Sequence, residues 1–494
     1  MRQTCIGATG KSIPALLPQL RVRVWVVAFL LWLMCGRAQL AAASNYSLRY
    51  ARFITRQANF QPGPSVPAGG GGGGGVGAID SALAIAAAPN LYSETYWTAF
   101  AELDLSTLRN AAQGDPETHF AEAMALLADG ELASAETAFA AVSQQQTDIN
   151  VAVASQIMLA STLRYERKWS ALRDLPLNSR LAPDDRKITR DLEHWGKVFA
   201  DAEQEVMTFP EKPVALRLRI TPVGTPTVRV QVNGKQYEFW LDTGSSMTVI
   251  SSAVAREAEI APLSNDTLTV RTFAGSAPVI AATIPRIELG SIVIINSPAV
   301  IIDQGLMYLR ASAQGVPGGG LRVDGIIGWD TLRQFDLTMN YTAGTITLRR
   351  PERHRLVGGP RQKLAWMGRP LVEVRTKAGA KLHFALDTGA QTTFLNAAAL
   401  GKAGASTRIS NNHVFGIART GRETDRVVPY LSLTVGRTLM RLENVLVYGP
   451  ATSGLIDTDG ILGSDVARFG AIHIDATNCV FSIGESDAGE DAAE

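Results

Sequence analysis

The period of the apolar positions changes once along the chain. From about residue 79 to 207 they recur at helical spacing among many alanines, with few turn-forming residues, which predicts an all-α region. At Phe209-Pro210-Glu211-Lys212-Pro213 that spacing stops and strand-like alternation begins. Val228, Val230 and Val232 fall on one strand face, Asn233-Gly234 is a strong hairpin turn, and residues 237–241 form the return strand. Further strands are predicted at 248–250, 267–273, 287–289 and 292–302, with a turn at Ala274-Gly275-Ser276 and a hairpin over 337–348.

The alternating part is written twice. Gly224-Thr225-Pro226-Thr227-Val228 is answered by Gly368-Arg369-Pro370-Leu371-Val372, and Phe239-Trp240-Leu241-Asp242-Thr243-Gly244-Ser245-Ser246 by Phe384-Ala385-Leu386-Asp387-Thr388-Gly389-Ala390-Gln391. Asp324-Gly325-Ile326-Ile327-Gly328 returns as Asp459-Gly460-Ile461-Leu462-Gly463, and the interval from Asp387 to Asp459 is ten residues shorter than that from Asp242 to Asp324. The surplus is expected near 304–323, where Gly318-Gly319-Gly320 marks a loop. The predicted fold class is therefore multidomain: an all-α helical-hairpin region over 79–207, then two tandem all-β lobes at 214–350 and 363–486. A linker at 351–362 joins the lobes, and an acidic tail follows at 487–494.

Length agrees, since 494 residues exceed what one core organises. Charge changes the picture at the N-terminus. Residues 1–43 hold Arg2, Lys11, Arg21, Arg23 and Arg37 but no acid, so the remainder carries 42 basic against 46 acidic residues and has no nucleic-acid footprint. That basic flank precedes an apolar run over 24–34 and Ala41-Ala42-Ala43, the layout of a cleaved secretory signal at 1–43. An uncleaved membrane anchor over 24–34 is the alternative, and the expected location is periplasmic or secreted. Residues 44–78, with seven glycines from Gly69 to Gly75, read as a flexible tether. Cys5 and Cys35 lie in the signal, which leaves Cys479 alone and no internal disulfide in the exported form.

Within the helical region, the stretch from Leu126 to Ala135 followed by Phe139 resembles a tetratricopeptide hairpin: Gly130 opens the turn, and Ala135 and Phe139 are the small and large residues that let helices nest. A weaker copy would carry Trp169, Leu172 and Leu175. Stacked hairpins imply a concave face for a protein partner.

The repeated Asp-Thr-Gly carries the chemistry. Each copy ends an apolar strand and sets a carboxylate at a turn that glycine permits, and two such acids brought together share a proton. Each half resembles the retropepsin-type aspartic protease fold, and the tandem is similar to the two-lobed pepsin plan. The resemblance implies Asp242 and Asp387 as the catalytic pair and an extended peptide or protein as substrate. It also implies that Thr243 and Thr388 lock the two loops, that Gly244 and Gly389 expose amides, and that Gly328 and Gly463 lie in segments supporting the loops from behind. Glycine-tipped flaps are expected at Phe273 and Gly275 in the first half, and at Phe415-Gly416 or Thr420-Gly421 in the second. The loops differ at Ser245 and Ala390. A hydrogen bond from Ser245 to its aspartate would favour ionisation, so Asp242 is expected to carry the charge and Asp387 the proton.

Peptide hydrolysis by a carboxyl pair needs no cofactor and no metal. Six scattered histidines lack the i, i+4 pairing of a zinc helix, no Gly-x-Ser-x-Gly elbow is present, and the glycine run lacks the lysine of a phosphate loop. The competing class is a scaffold that binds peptides through its helices and whose lobes are inert.

Overall fold

The computed structural model describes residues 94–484 except 146, 177–182, 273–274, 311–319, 354–361, 367–368, 417–418 and 449–457. The signal, the tether, most of the linker and the acidic tail lie outside these residues.

The first part is helical, from Glu94–Ala101 to Pro183–Phe199. Asp115–Ala128 and Leu132–Gln144 form a hairpin whose turn contains Gly130 at φ +75°, a left-handed conformation that glycine adopts without a Cβ penalty. Ala135 and Phe139 are fully buried between helices, and Phe139 meets Phe120 at 5.9 Å between ring centres. Ile149–Tyr165 is the most enclosed helix, and Asp148 caps its start by accepting from the amides of Asn150 and Val151. The expected second hairpin has a short partner, Trp169–Arg173, whose Trp169 and Leu172 are buried.

Two β lobes follow. In the first, Pro226–Val232 and Lys235–Leu241 are joined through Asn233 and Gly234 at φ 48° and 80°, the paired positive values of a tight hairpin turn. Pro262–Thr272 and Gly275–Leu289 form a longer hairpin than the alternation predicts, because residues 275–289 run on as one strand that turns into Ile292–Ile302. The second lobe repeats this order with Pro370–Thr376, Lys381–Leu386, the hairpin Arg408–Gly416 and Arg419–Val435, and Thr438–Tyr448. The extra length of the first lobe falls between Ile302 and Asp324, where Tyr308–Arg310 pairs with Gly320–Arg322.

The lobes meet in one continuous antiparallel sheet. Val214–Arg217, Thr345–Arg349 and Asp336–Asn340 come from the first, and Ala471–Asp475, Val480–Gly484 and Gln362–Trp366 from the second. The seam is Asp336–Asn340 against Ala471–Asp475, with Leu337 opposite Ile474 and Met339 opposite Ile472, all buried. Covering this apolar surface on both sides fixes the lobes as a pair within one chain.

The helical region touches both lobes. Arg167 bonds Asp330 of the first, while Lys402 of the second reaches Glu102 at 3.1 Å. A Cβ on Gly130 would lie 3.0 Å from Cys479 Sγ, so the helical turn sits directly on the final hairpin and its buried thiol.

Candidate active site

The same local construction delivers both aspartates. Gly325–Ile327 lies parallel to the strand that ends at Leu241, and Gly460–Leu462 lies parallel to the strand that ends at Leu386. Across these pairs Asp242 N donates to Ile327 O at 3.1 Å and Asp387 N to Leu462 O at 3.0 Å. The glycines of the repeated Asp-Gly-Ile-x-Gly are required by close approach. A Cβ on Gly325 would stand 2.5 Å from the Phe239 ring, and one on Gly460 2.3 Å from that of Phe384. At Gly328 it would meet Met247 O at 2.3 Å, and at Gly463 the Thr392 carbonyl at 2.5 Å. The support segments then hold the loops directly: Trp329 N donates to Ser245 O at 2.7 Å, and Ser464 N to Ala390 O at 2.8 Å.

Between the lobes the two threonines exchange hydrogen bonds. Thr243 Oγ1 donates to Leu386 O at 2.9 Å and accepts from Thr388 N at 3.1 Å; Thr388 Oγ1 donates to Leu241 O at 2.7 Å and accepts from Thr243 N at 3.1 Å. Both side chains are fully buried. This exchange presses each loop's glycine onto the other loop's acid. A Cβ on Gly244 would lie 2.4 Å from Asp387 Cγ, and one on Gly389 2.5 Å from Asp242 Cγ.

Each carboxyl group therefore packs against the glycine of the opposite loop, which brings the two acids close enough for each to act on the other. Asp242 Oδ1 accepts from Gly244 N at 2.8 Å and Ser245 N at 3.1 Å, and Asp387 Oδ1 accepts from Ala390 N at 2.9 Å. Burial pushes Asp242 well above the ordinary carboxylate range and the charge of Asp387 pushes it further, against the pull of the Gly244 and Ser245 amides. Burial also raises Asp387, but the Ala390 amide, the neighbouring Asp242 carboxyl and the charge of Arg369 draw it back. Both acids are thus raised together, and the pair holds one proton between them.

The hydroxyl expected to favour ionisation of Asp242 is turned away from it. Ser245 Oγ donates to Met247 O at 2.7 Å, so what reaches Asp242 is the Ser245 amide. Ala390 supplies an equivalent amide to Asp387, which leaves no asymmetry from this pair of residues.

Of the flap candidates, Phe273 lies outside the described residues. Gly275 opens the return strand of the first hairpin, and Phe415 and Gly416 end the outgoing strand of the second, with Thr420 and Gly421 on its return strand.

Several further residues support the loops. Asp459 Oδ2 accepts from His383 N at 2.8 Å, and Asp324 Oδ2 faces Glu238 N at 3.5 Å, each tying a support segment to its strand. Thr248 Oγ1 accepts from Gly328 N at 3.3 Å and bonds Asp330 Oδ1 at 3.2 Å, while Thr393 Oγ1 accepts from Gly463 N at 3.2 Å and bonds Asp465 Oδ1 at 2.7 Å. The signal for this second set was present in the repeat. Thr248 and Thr393 follow their aspartates at equal spacing, as Asp330 and Asp465 follow theirs.

Residues 228–331, within the first lobe, match the family model described as aspartyl protease. No curated protein matches the chain.

Proposed function

We propose that the chain is an exported aspartic endopeptidase whose Asp242 and Asp387 form one catalytic pair across the two lobes. The observation that carries this reading is the close approach of two half-buried carboxyl groups, each against the other loop's glycine, above the threonine exchange that joins the loops.

In this mechanism the ionised member of the Asp242–Asp387 pair takes a proton from a water molecule while the protonated member gives its proton to the carbonyl oxygen of the scissile peptide. The water oxygen forms a bond to the carbonyl carbon. As the C–N bond breaks, the proton taken from water passes to the leaving nitrogen and a hydroxyl of the tetrahedral intermediate returns its proton to the other acid as the C=O bond re-forms, so the pair again holds one proton. An extended substrate would lie along strand edges, which match its main-chain hydrogen bonding. Export rests on the basic, apolar and small-residue order of the first 43 residues.

The test is cleavage of a broad peptide library with and without pepstatin, using wild type, Asp242→Asn and Asp387→Asn. Pepstatin-sensitive cleavage lost in both variants is the expected result. Full activity in either variant, or none in the wild type, would sink the proposal.

A further inference from the structure

Arg167 belongs to the helical region, yet its side chain is spent outside it. Nη2 meets Asp330 of the first lobe, Oδ2 at 3.1 Å and the carbonyl oxygen at 3.0 Å, while Nη1 meets Glu205 in the connecting segment. The residue occupies the turn after Ile149–Tyr165, where Arg167 N donates to Arg164 O at 3.1 Å and Lys168 N to Leu163 O at 2.9 Å. The turn after Asp115–Ala128 closes in the same way, Gly130 N to Leu127 O and Glu131 N to Leu126 O, with glycine at the left-handed position. Arg167 takes that position at φ +59°, a conformation that penalises a side chain. What the side chain reaches from there is a nearly buried carboxylate.

Asp330 leads to the active site in three steps. Its Oδ1 accepts from Thr248 Oγ1 at 3.2 Å, and with its proton so directed the Thr248 oxygen accepts from Gly328 N at 3.3 Å. Gly328 stands between Ile327, whose carbonyl accepts from Asp242 N at 3.1 Å, and Trp329, whose N–H donates to Ser245 O at 2.7 Å. Ser245 N donates to Asp242 Oδ1 at 3.1 Å. Contacts therefore run from the helical turn to both ends of the loop that presents Asp242.

The second lobe builds the same chain from its own residues. Thr393 Oγ1 donates to Asp465 Oδ1 at 2.7 Å and accepts from Gly463 N at 3.2 Å, and the positive charge acting on Asp465 is that of Arg468. Arg333 holds the matching place in the first lobe, but it donates to Tyr165 O, a carbonyl of the helical region. Burial pushes Asp330 up, and the charge of Arg167 is the strongest pull against it, ahead of Arg333. The two parts have exchanged arginines: the lobe's Arg333 serves the helix end, and the helix end's Arg167 serves the lobe's aspartate.

We infer that Arg167 is a positioning residue for the active site, which through Asp330 and Thr248 holds the segment behind the Asp242 loop, so that the helical region completes the first lobe's half of the catalytic pair. Its consequence for catalysis rests on the proposed peptidase activity; its hold on the loop does not.

The test uses the full chain. Hydrogen exchange read by mass spectrometry compares residues 242–248 and 325–331 with their counterparts 387–393 and 460–466, in wild type and Arg167→Met. Faster exchange in the first-lobe segments, with the second-lobe segments unchanged, is the expected result. This readout needs no cleavage, so it decides the inference even where the wild type cleaves nothing and the proposed activity falls. Kinetics use a library peptide that the wild type cleaves, at a temperature where the variants are folded. Arg167→Met should lower kcat about tenfold or more with KM within about twofold, because a misplaced acid weakens the reaction and leaves substrate binding in place. Arg167→Lys, which returns the charge, should recover part of the loss, and adding Asp330→Asn to Arg167→Met should cost nothing further, since one acts through the other. If Arg167→Met does not fold, Arg167→Lys against wild type carries both readouts. Equal exchange in wild type and variant, exchange quickened alike in both lobes, or a lowered melting temperature with kcat unmoved would overturn the inference.

Discussion

Replacing Thr243 by valine keeps a branched side chain of similar shape and removes only the hydroxyl. That hydroxyl serves two bonds across the lobe boundary, giving to Leu386 O at 2.9 Å and taking from Thr388 N at 3.1 Å. Water cannot replace it, because the site is fully buried. Each orphaned backbone group costs about 1–3 kcal/mol, so the substitution should remove about 2–6 kcal/mol from a stability that is typically about 5–15 kcal/mol. Thr388→Val breaks the mirror-image pair of bonds, to Leu241 O and from Thr243 N. The two losses should not add. Once one lock opens the loops part, and the double variant should fall short of the sum by about 1 kcal/mol or more. Urea unfolding followed by tryptophan fluorescence reads these changes as midpoint shifts at constant slope. A loss below about 1 kcal/mol for Thr243→Val would refute the reasoning, because a hydroxyl with two buried partners cannot be removed so cheaply.

The remaining expectations concern the acids and their supports. Because burial raises Asp242 and Asp387 above their unfolded values, the stability linked to them is fully present below the ordinary carboxylate pKa of about 3.9 and is lost as pH rises through the folded values. Melting curves from acid to neutral pH should therefore fall less steeply for Asp387→Asn than for wild type, and a steeper fall would contradict the shared proton. Gly389→Ala places a methyl 2.5 Å from Asp242 Cγ, and peptidase assays should show about a hundredfold or greater loss of kcat/KM with the chain still folded. Ser245→Ala should leave the acidic limb of the pH–rate profile in place, since the hydroxyl serves Met247 O; a shift of about half a unit would restore its role at Asp242. Arg167→Met leaves Asp330 and Glu205 buried without their cation, and denaturant titration should show a cost of about 3–5 kcal/mol.

Local chemistry made much of this fold legible in the sequence. Asn233-Gly234 specifies a turn with two positive φ values, and the chain makes that turn. Gly130 marked a helical turn for the same reason, with Ala135 and Phe139 buried beside it. The repeated Asp-Thr-Gly and Asp-Gly-Ile-x-Gly were visible because each glycine answers a contact that recurs in both halves: a phenylalanine ring at Gly325 and Gly460, backbone at Gly328 and Gly463, and the opposite acid at Gly244 and Gly389. What could not be read was pairing between distant segments. Val214–Arg217 has four residues and finds its partner at Thr345–Arg349, and Asp336–Asn340 finds Ala471–Asp475. No periodicity within a strand specifies its neighbour across such separations. The orientation of Ser245 was hidden for another reason. A serine hydroxyl in this loop can donate in more than one direction, and only the folded backbone sets Met247 O at 2.7 Å.

The positions at which the halves differ are the ones where each lobe meets something the other does not. Ser464 stands where the first half has Trp329, and its hydroxyl crosses the lobe boundary to Gly224 O at 3.0 Å. Trp329 instead turns toward the helical region, against the cavity lined by Arg164 and Arg167. Asp330 and Asp465 occupy one repeated position, yet Asp330 takes Arg167 from the helices while the charge acting on Asp465 comes from Arg468 of its own lobe. Thr225 Oγ1 donates to Gly389 O at 3.3 Å, and Arg369 at the matching position places a positive charge near Asp387. Two identical subunits about a twofold axis could not divide these tasks, because every residue would face the same neighbours twice. Joining the halves in one chain removes that constraint.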